Sequence, residues 1–150
     1  YTLEVRNFMQ ERNYYNEIKD YSKNRSDLNT YYNVGKMLSE AGKHYGEGII
    51  KEYSLKLTNE LGKGYTVSNL KRFRQFYLLV IKGATLSHQL TWSHYKELIP
   101  LKDINKINYY INLCMNNSIS RDELKLRIIA REYELVWYIF KEEIWIIIMR

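Results

Sequence analysis

Apolar side chains recur along this chain mostly at every third or fourth position, and that period predicts helices joined by short turns. Over residues 1–24 the apolar face is Leu3, Val5, Phe8, Tyr14, Tyr15, Ile18 and Tyr21. Residues 27–40 continue it through Leu28, Tyr31, Tyr32, Val34 and Leu38, and the stretch "AGKHYGEG" reads as a glycine-rich break. Residues 47–61 place Ile49, Ile50, Tyr53, Leu57 and Leu61 at helical spacing and close on Gly62 and Gly64 as a C-cap and turn. The next helix, 67–82, takes Thr66 or Ser68 as its N-cap. Leu70, Phe73, Phe76, Tyr77 and Val80 lie on one side of it, and Ser68, Lys71, Arg72, Gln75 and Lys82 on the other. Thr91 caps a short helix through Leu98 that Pro100 stops, with Trp92 expected as a core or edge anchor. A further helix spans about 103–116 through Ile104, Ile107, Tyr110, Ile111 and Cys114. Ser120, three residues before Glu123, predicts a capping box on a last helix that is expected to run on into the apolar tail. One proline and seven glycines in 150 residues agree with this reading. The expected fold is all-α: a compact multi-helix domain over 1–134, with an apolar helical tail over 135–150.

Charge adds a second pattern. The net charge is +6, and it is not spread evenly. Between Glu60 and Glu97 there is no acidic residue, while Lys63, Lys71, Arg72, Arg74, Lys82 and Lys96 all fall in that window. Of the 23 basic residues, removing these six leaves 17 to balance the 17 acidic ones. A basic cluster of this kind is the footprint of a polyanion-binding face. It overlaps two short helices joined by a tight turn, 47–61 and 67–82, the arrangement in which one helix braces and the next enters the major groove. That reading puts Ser68, Asn69, Lys71, Arg72 and Gln75 on the exposed face, where Lys and Arg suit phosphates or guanine, and Asn and Gln suit adenine. The alternative is a solvated basic face that binds nothing.

Catalytic sets are not visible. Glu17 with Lys19, and Glu123 with Lys125, have a nuclease-like spacing but lie in helical patterns without an adjacent acidic strand. His44, His88 and His94 form no zinc spacing, and no phosphate-binding glycine loop follows a strand. Ser93 and His94 are adjacent, so on a helix they point about 100° apart and make no triad. No enzyme, metal or cofactor is expected. The single Cys114 sits on an apolar stripe as a core thiol, and with no signal peptide in view a reducing, cytoplasmic setting is expected. The tail "LVWYIFKEEIWIIIMR" is interrupted by Lys141, Glu142 and Glu143, and neither apolar run reaches the roughly 20 residues of a membrane span.

The order Tyr45-Gly46, "GYTVSNLKRFRQFY" (64–77), "LTWSHYKEL" (90–98) and "SRDELKLRI" (120–128) resembles the N-terminal domain of the YhcG family. The shared positions are Gly64, Asn69, Leu70, Arg74, Phe76, Tyr77, Leu90, Trp92, Ser93, His94, Leu98, Arg121 and Leu124. Tyr65, Thr66, Phe73 and Thr91 replace the family's Phe, Ser, Met and Ser, and "NNSIS" stands where a Trp is usual. The resemblance implies a helical domain that commonly precedes a PD-(D/E)XK nuclease-like domain. Here that nuclease domain is expected to be absent, the chain being a truncated or frame-shifted copy or an independent small protein.

Together these features lead to an expected non-catalytic, helix-turn-helix-like domain that binds DNA or a nucleoprotein complex. Lys63, Ser68, Asn69, Lys71, Arg72, Arg74, Gln75, Lys82 and Lys96 are its expected contacts, with Ser93 and His94 as secondary phosphate ligands. The competing expectation is a protein-interaction module whose tail, through Trp137 and Trp145, meets a partner or a second copy. That module would act as an adaptor for a separate nuclease, or as a phage-type inhibitor of a bacterial defence complex.

Overall fold

A computed structural model describes residues 2–23 and 28–150, with the side chains of Asn7 and Phe8 outside the description. The expected apolar contribution of Phe8, and the helix edges placed at Asn24 and Asp27, therefore lie outside the described residues. Eight α-helices and one 3-10 turn make up the described architecture, with no strand. The fold is all-α. The helices fall into two units, Tyr1–Leu86 and Ser87–Arg150.

The first unit holds α1 (Leu3–Lys23), α2 (Leu28–Tyr45), α3 (Gly48–Leu61) and α4 (Val67–Ile81). Its core is Tyr15 and Ile18 from α1, Val34, Leu38 and Ala41 from α2, Ile50, Tyr53 and Leu57 from α3, and Leu70, Phe73 and Phe76 from α4. Among its described residues α1 buries only Tyr15, Ile18 and Ser22: Leu3 and Val5 near its start and Tyr21 near its end, all expected on the apolar face, are exposed. The expected break at "AGKHYGEG" comes late. Ala41 is fully buried, so packing carries α2 through Gly42 to Tyr45, and the chain turns only at Gly46, whose φ of 81° suits glycine. α2 and α4 touch backbone to backbone. A Cβ on Gly35 would lie 2.1 Å from the Phe73 carbonyl oxygen, so no other residue permits this approach. Around that contact the Tyr31 ring stacks on Phe73 at 4.8 Å, and Tyr32 meets Tyr77 edge-on at 5.2 Å.

The second unit contains α5 (Trp92–Leu98), a 3-10 turn at Ile99–Leu101, α6 (Ile104–Asn117), α7 (Arg121–Ile129) and α8 (Glu132–Met149). Leu90, Tyr95, Leu98, Ile107, Tyr110, Ile111, Cys114 and Leu124 form its core. Burial pushes the Cys114 thiol up, as suits an unreactive packing residue. Ser120 accepts from the Glu123 amide, but the Glu123 carboxylate pairs with Arg127 at 3.0 Å, so only half of the expected capping box forms. Nor does the last helix run straight into the tail: Arg131 adopts a left-handed φ of 59° and separates α7 from α8. The first turn of α8 is tied down by the Lys106–Glu134 ion pair and by the Tyr133 amide donating to Tyr110 Oη at 3.2 Å. Beyond Glu134 every residue of α8 is exposed.

Candidate nucleic-acid interface

The strongest functional candidate in the first unit is the outer face of α4, and the segment before it is held firmly. Thr66 accepts the Asn69 amide as N-cap, and the Asn69 side-chain NH2 donates to the Gly64 carbonyl at 3.1 Å. Tyr65 is buried, donates its hydroxyl to the Ser22 carbonyl at 3.2 Å, and accepts from Ser54 Oγ on its own carbonyl at 2.6 Å. These bonds close the α3–α4 connection over its backbone groups and fix the entry of α4.

From that clamp α4 presents Ser68, Lys71, Arg72 and Gln75 as an exposed stripe that Lys82 continues past the helix end. At 3.6 residues per turn these positions fall within a band about 100° wide. Lys63 is exposed in the preceding turn. Two expected readers have structural duties instead. Asn69 is half-buried, its NH2 on Gly64 and its Oδ1 taken by Arg72 at 3.1 Å. Arg74 lies on the flank of the helix, largely covered, and pairs with Glu47 at 2.7 Å. Glu47 went unremarked in the sequence because it precedes the acid-free window, yet it folds back onto this face.

Arg74 holds the Glu47 carboxyl below its ordinary range, first by their hydrogen bond, then by its charge and that of Lys71. A carboxyl depressed in the folded state stabilises above its unfolded pKa, and that contribution fades as pH falls through the folded value. Because the carboxylate is well exposed, the contribution is under about 1 kcal/mol. Arg74→Met is expected to remove it, narrowing the stability difference between neutral and strongly acidic pH in urea titrations by that amount.

The second unit holds the remaining candidates. Ser93 and Lys96 are exposed on α5, and Trp92 is half-buried. His94 is not available to a phosphate: it is 8% exposed and both ring nitrogens are engaged. The Thr91 amide donates to Nδ1 at 3.1 Å, which makes Nδ1 the acceptor and places the proton on Nε2, 2.8 Å from the Ile119 carbonyl. His94 therefore leaves the list of phosphate ligands and becomes the reciprocal half of a capping box with Thr91.

One further feature had no sequence signal. A groove of about 660 Å³ runs between α1 and α3, lined by Glu11, Arg12, Tyr15, Asn16, Lys19, Glu52, Lys56 and Glu60. Its charges cancel, with Lys19 on Glu60 at 2.6 Å and Lys56 on Glu52 at 3.1 Å, so it offers no net attraction to a polyanion. Lys19 and Glu123, each part of an expected chance Glu-x-Lys spacing, are thus held in ion pairs. Among the described residues no group of three or more His, Cys, Asp or Glu is placed to hold a metal ion, and no helix is long and apolar enough to cross a membrane.

A family model for the DUF1016 N-terminal domain matches residues 10–135, from α1 to the first turn of α8. The chain belongs to this family. The DUF1016 N-terminal assignment agrees with the resemblance to the YhcG N-terminal domain, and its span covers every motif on which that resemblance rests. Comparison with curated proteins and with solved structures gives no match. Within the DUF1016 N-terminal domain, the Trp92-Ser93-His94 block has its explanation in capping and packing, with only Ser93 left facing solvent.

Proposed function

We propose that this domain binds duplex DNA through α4, with α3 and α4 acting as a helix-turn-helix-like pair. The observation that carries the reading is the exposed stripe Ser68, Lys71, Arg72, Gln75 and Lys82 on a helix whose entry is clamped. Lys71 and Arg72 supply phosphate or guanine contacts, Gln75 suits an adenine edge, and the α4 N-terminus adds its positive dipole end. Glu47 tempers the face, since its carboxylate acts on both Arg74 and Lys71.

Anisotropy of a labelled duplex is expected to show binding whose logarithm falls linearly with the logarithm of salt, by about 0.9 per phosphate contacted. Lys71→Glu or Arg72→Glu is expected to weaken binding at least about ten-fold and to flatten that slope by about 1. Glu47→Gln is expected to tighten it, because it removes a carboxylate that acts on Lys71 and Arg74. No binding at about 50 mM salt overturns the proposal.

A further inference from the structure

The exposed part of α8 is a surface without a partner. Trp137, Phe140, Ile144 and Ile147 are 56%, 50%, 40% and 71% exposed and recur at intervals of three, four and three residues, which sets them on one seam. The Trp137 and Phe140 rings already stack along it at 5.9 Å. Lys141 follows Phe140 on one flank of the seam, Glu143 precedes Ile144 on the other, and Glu142 faces away. In coiled-coil terms the seam residues take the core positions, and Lys141 and Glu143 take the e and g positions beside them.

We infer that α8 is a parallel two-fold pairing helix whose partner is a second copy of this chain. The charge pattern selects both the partner and the direction. A parallel two-fold brings the Lys141 flank of one copy against the Glu143 flank of the other, on both edges of the seam. An antiparallel pair sets Lys141 against Lys141 and Glu143 against Glu143. The area suffices: the four seam side chains with Val136 and Ile148, at roughly 100 Å² each, bury roughly 600 Å² per copy and reach the lower bound for a specific interface.

Sedimentation velocity on the full chain without nucleic acid tests this independently of the DNA reading. A dimer is expected, and Phe140→Glu is expected to give a monomer with helix content retained by circular dichroism. Lys141→Glu leaves only like charges on both edges and is expected to raise the dissociation constant about ten-fold. Adding Glu143→Lys to that variant is expected to restore the original affinity. A monomeric wild type overturns the inference and leaves α8 to a different partner. A dimer indifferent to Lys141→Glu, or one that the double variant fails to restore, overturns it as well.

Discussion

Gly35→Ala is expected to destabilise the first unit by about 3 kcal/mol or more, towards the upper end of overpacking costs. At an ordinary helical position the same change would stabilise by about 1 kcal/mol, because alanine is the better helix former. The sign of the effect is therefore diagnostic. The new Cβ meets the Phe73 carbonyl oxygen at 2.1 Å and its carbon at 2.7 Å, and backbone cannot rotate aside as a long side chain does. Relief requires α2 and α4 to separate, which breaks the Tyr31–Phe73 stack and the Tyr32–Tyr77 contact together. A urea denaturation midpoint that rises on substitution would show that the two helices do not approach this closely. A fall should be accompanied by weaker duplex binding, since α4 is the proposed reader.

His94→Ala is expected to cost roughly 2–4 kcal/mol, from the lost cap and the unsatisfied buried carbonyl of Ile119. Three bonds disappear at once: the Thr91 amide loses its acceptor, the Thr91 hydroxyl loses a neighbour at 2.8 Å, and Ile119 loses its donor. Ile119 immediately precedes the cap of α7, so the imidazole ties the start of α5 to the start of α7. Ser93→Ala, on the neighbouring exposed position, is expected to stay within about 0.5 kcal/mol. Thermal unfolding of the two variants side by side checks the contrast. Equal effects would remove the tie from the account of α5.

Helix positions and most of the core were legible because a 3.6-residue period acts over whole helices and dominates local exceptions. Ile50, Tyr53, Leu57, Leu70, Phe73 and Phe76 were all readable in this way, as were the Thr91 cap and the stop at Pro100. What escaped depends on contacts across the sequence. Leu3 and Val5 continue an apolar pattern, but the end of α1 on which they lie is not packed. The glycines of "AGKHYGEG" look alike as letters, yet burial of Ala41 carries α2 past Gly42 while Gly46 ends it. His94 was expected as a secondary phosphate ligand, and only the location of the Ile119 carbonyl identifies its role. The acid-free window drew attention to the α4 face, but it hid Glu47, and it counted Asn69 and Arg74 among the contacts when the fold ties both into bonds of its own.

The joint at Arg131 gives the domain a natural seam for recombination. α7 stops, one left-handed residue reorients the chain, and the opening turn of α8 is stapled to α6 through Glu134 and Tyr133. The family match ends at residue 135, one position after that staple. Everything the second unit needs for its own packing is complete by then, because no residue from 135 onward is buried. Sequence beyond the staple can be exchanged without disturbing what precedes it. One helical domain can thus carry different downstream attachments, with the stapled turn setting the direction in which each of them departs.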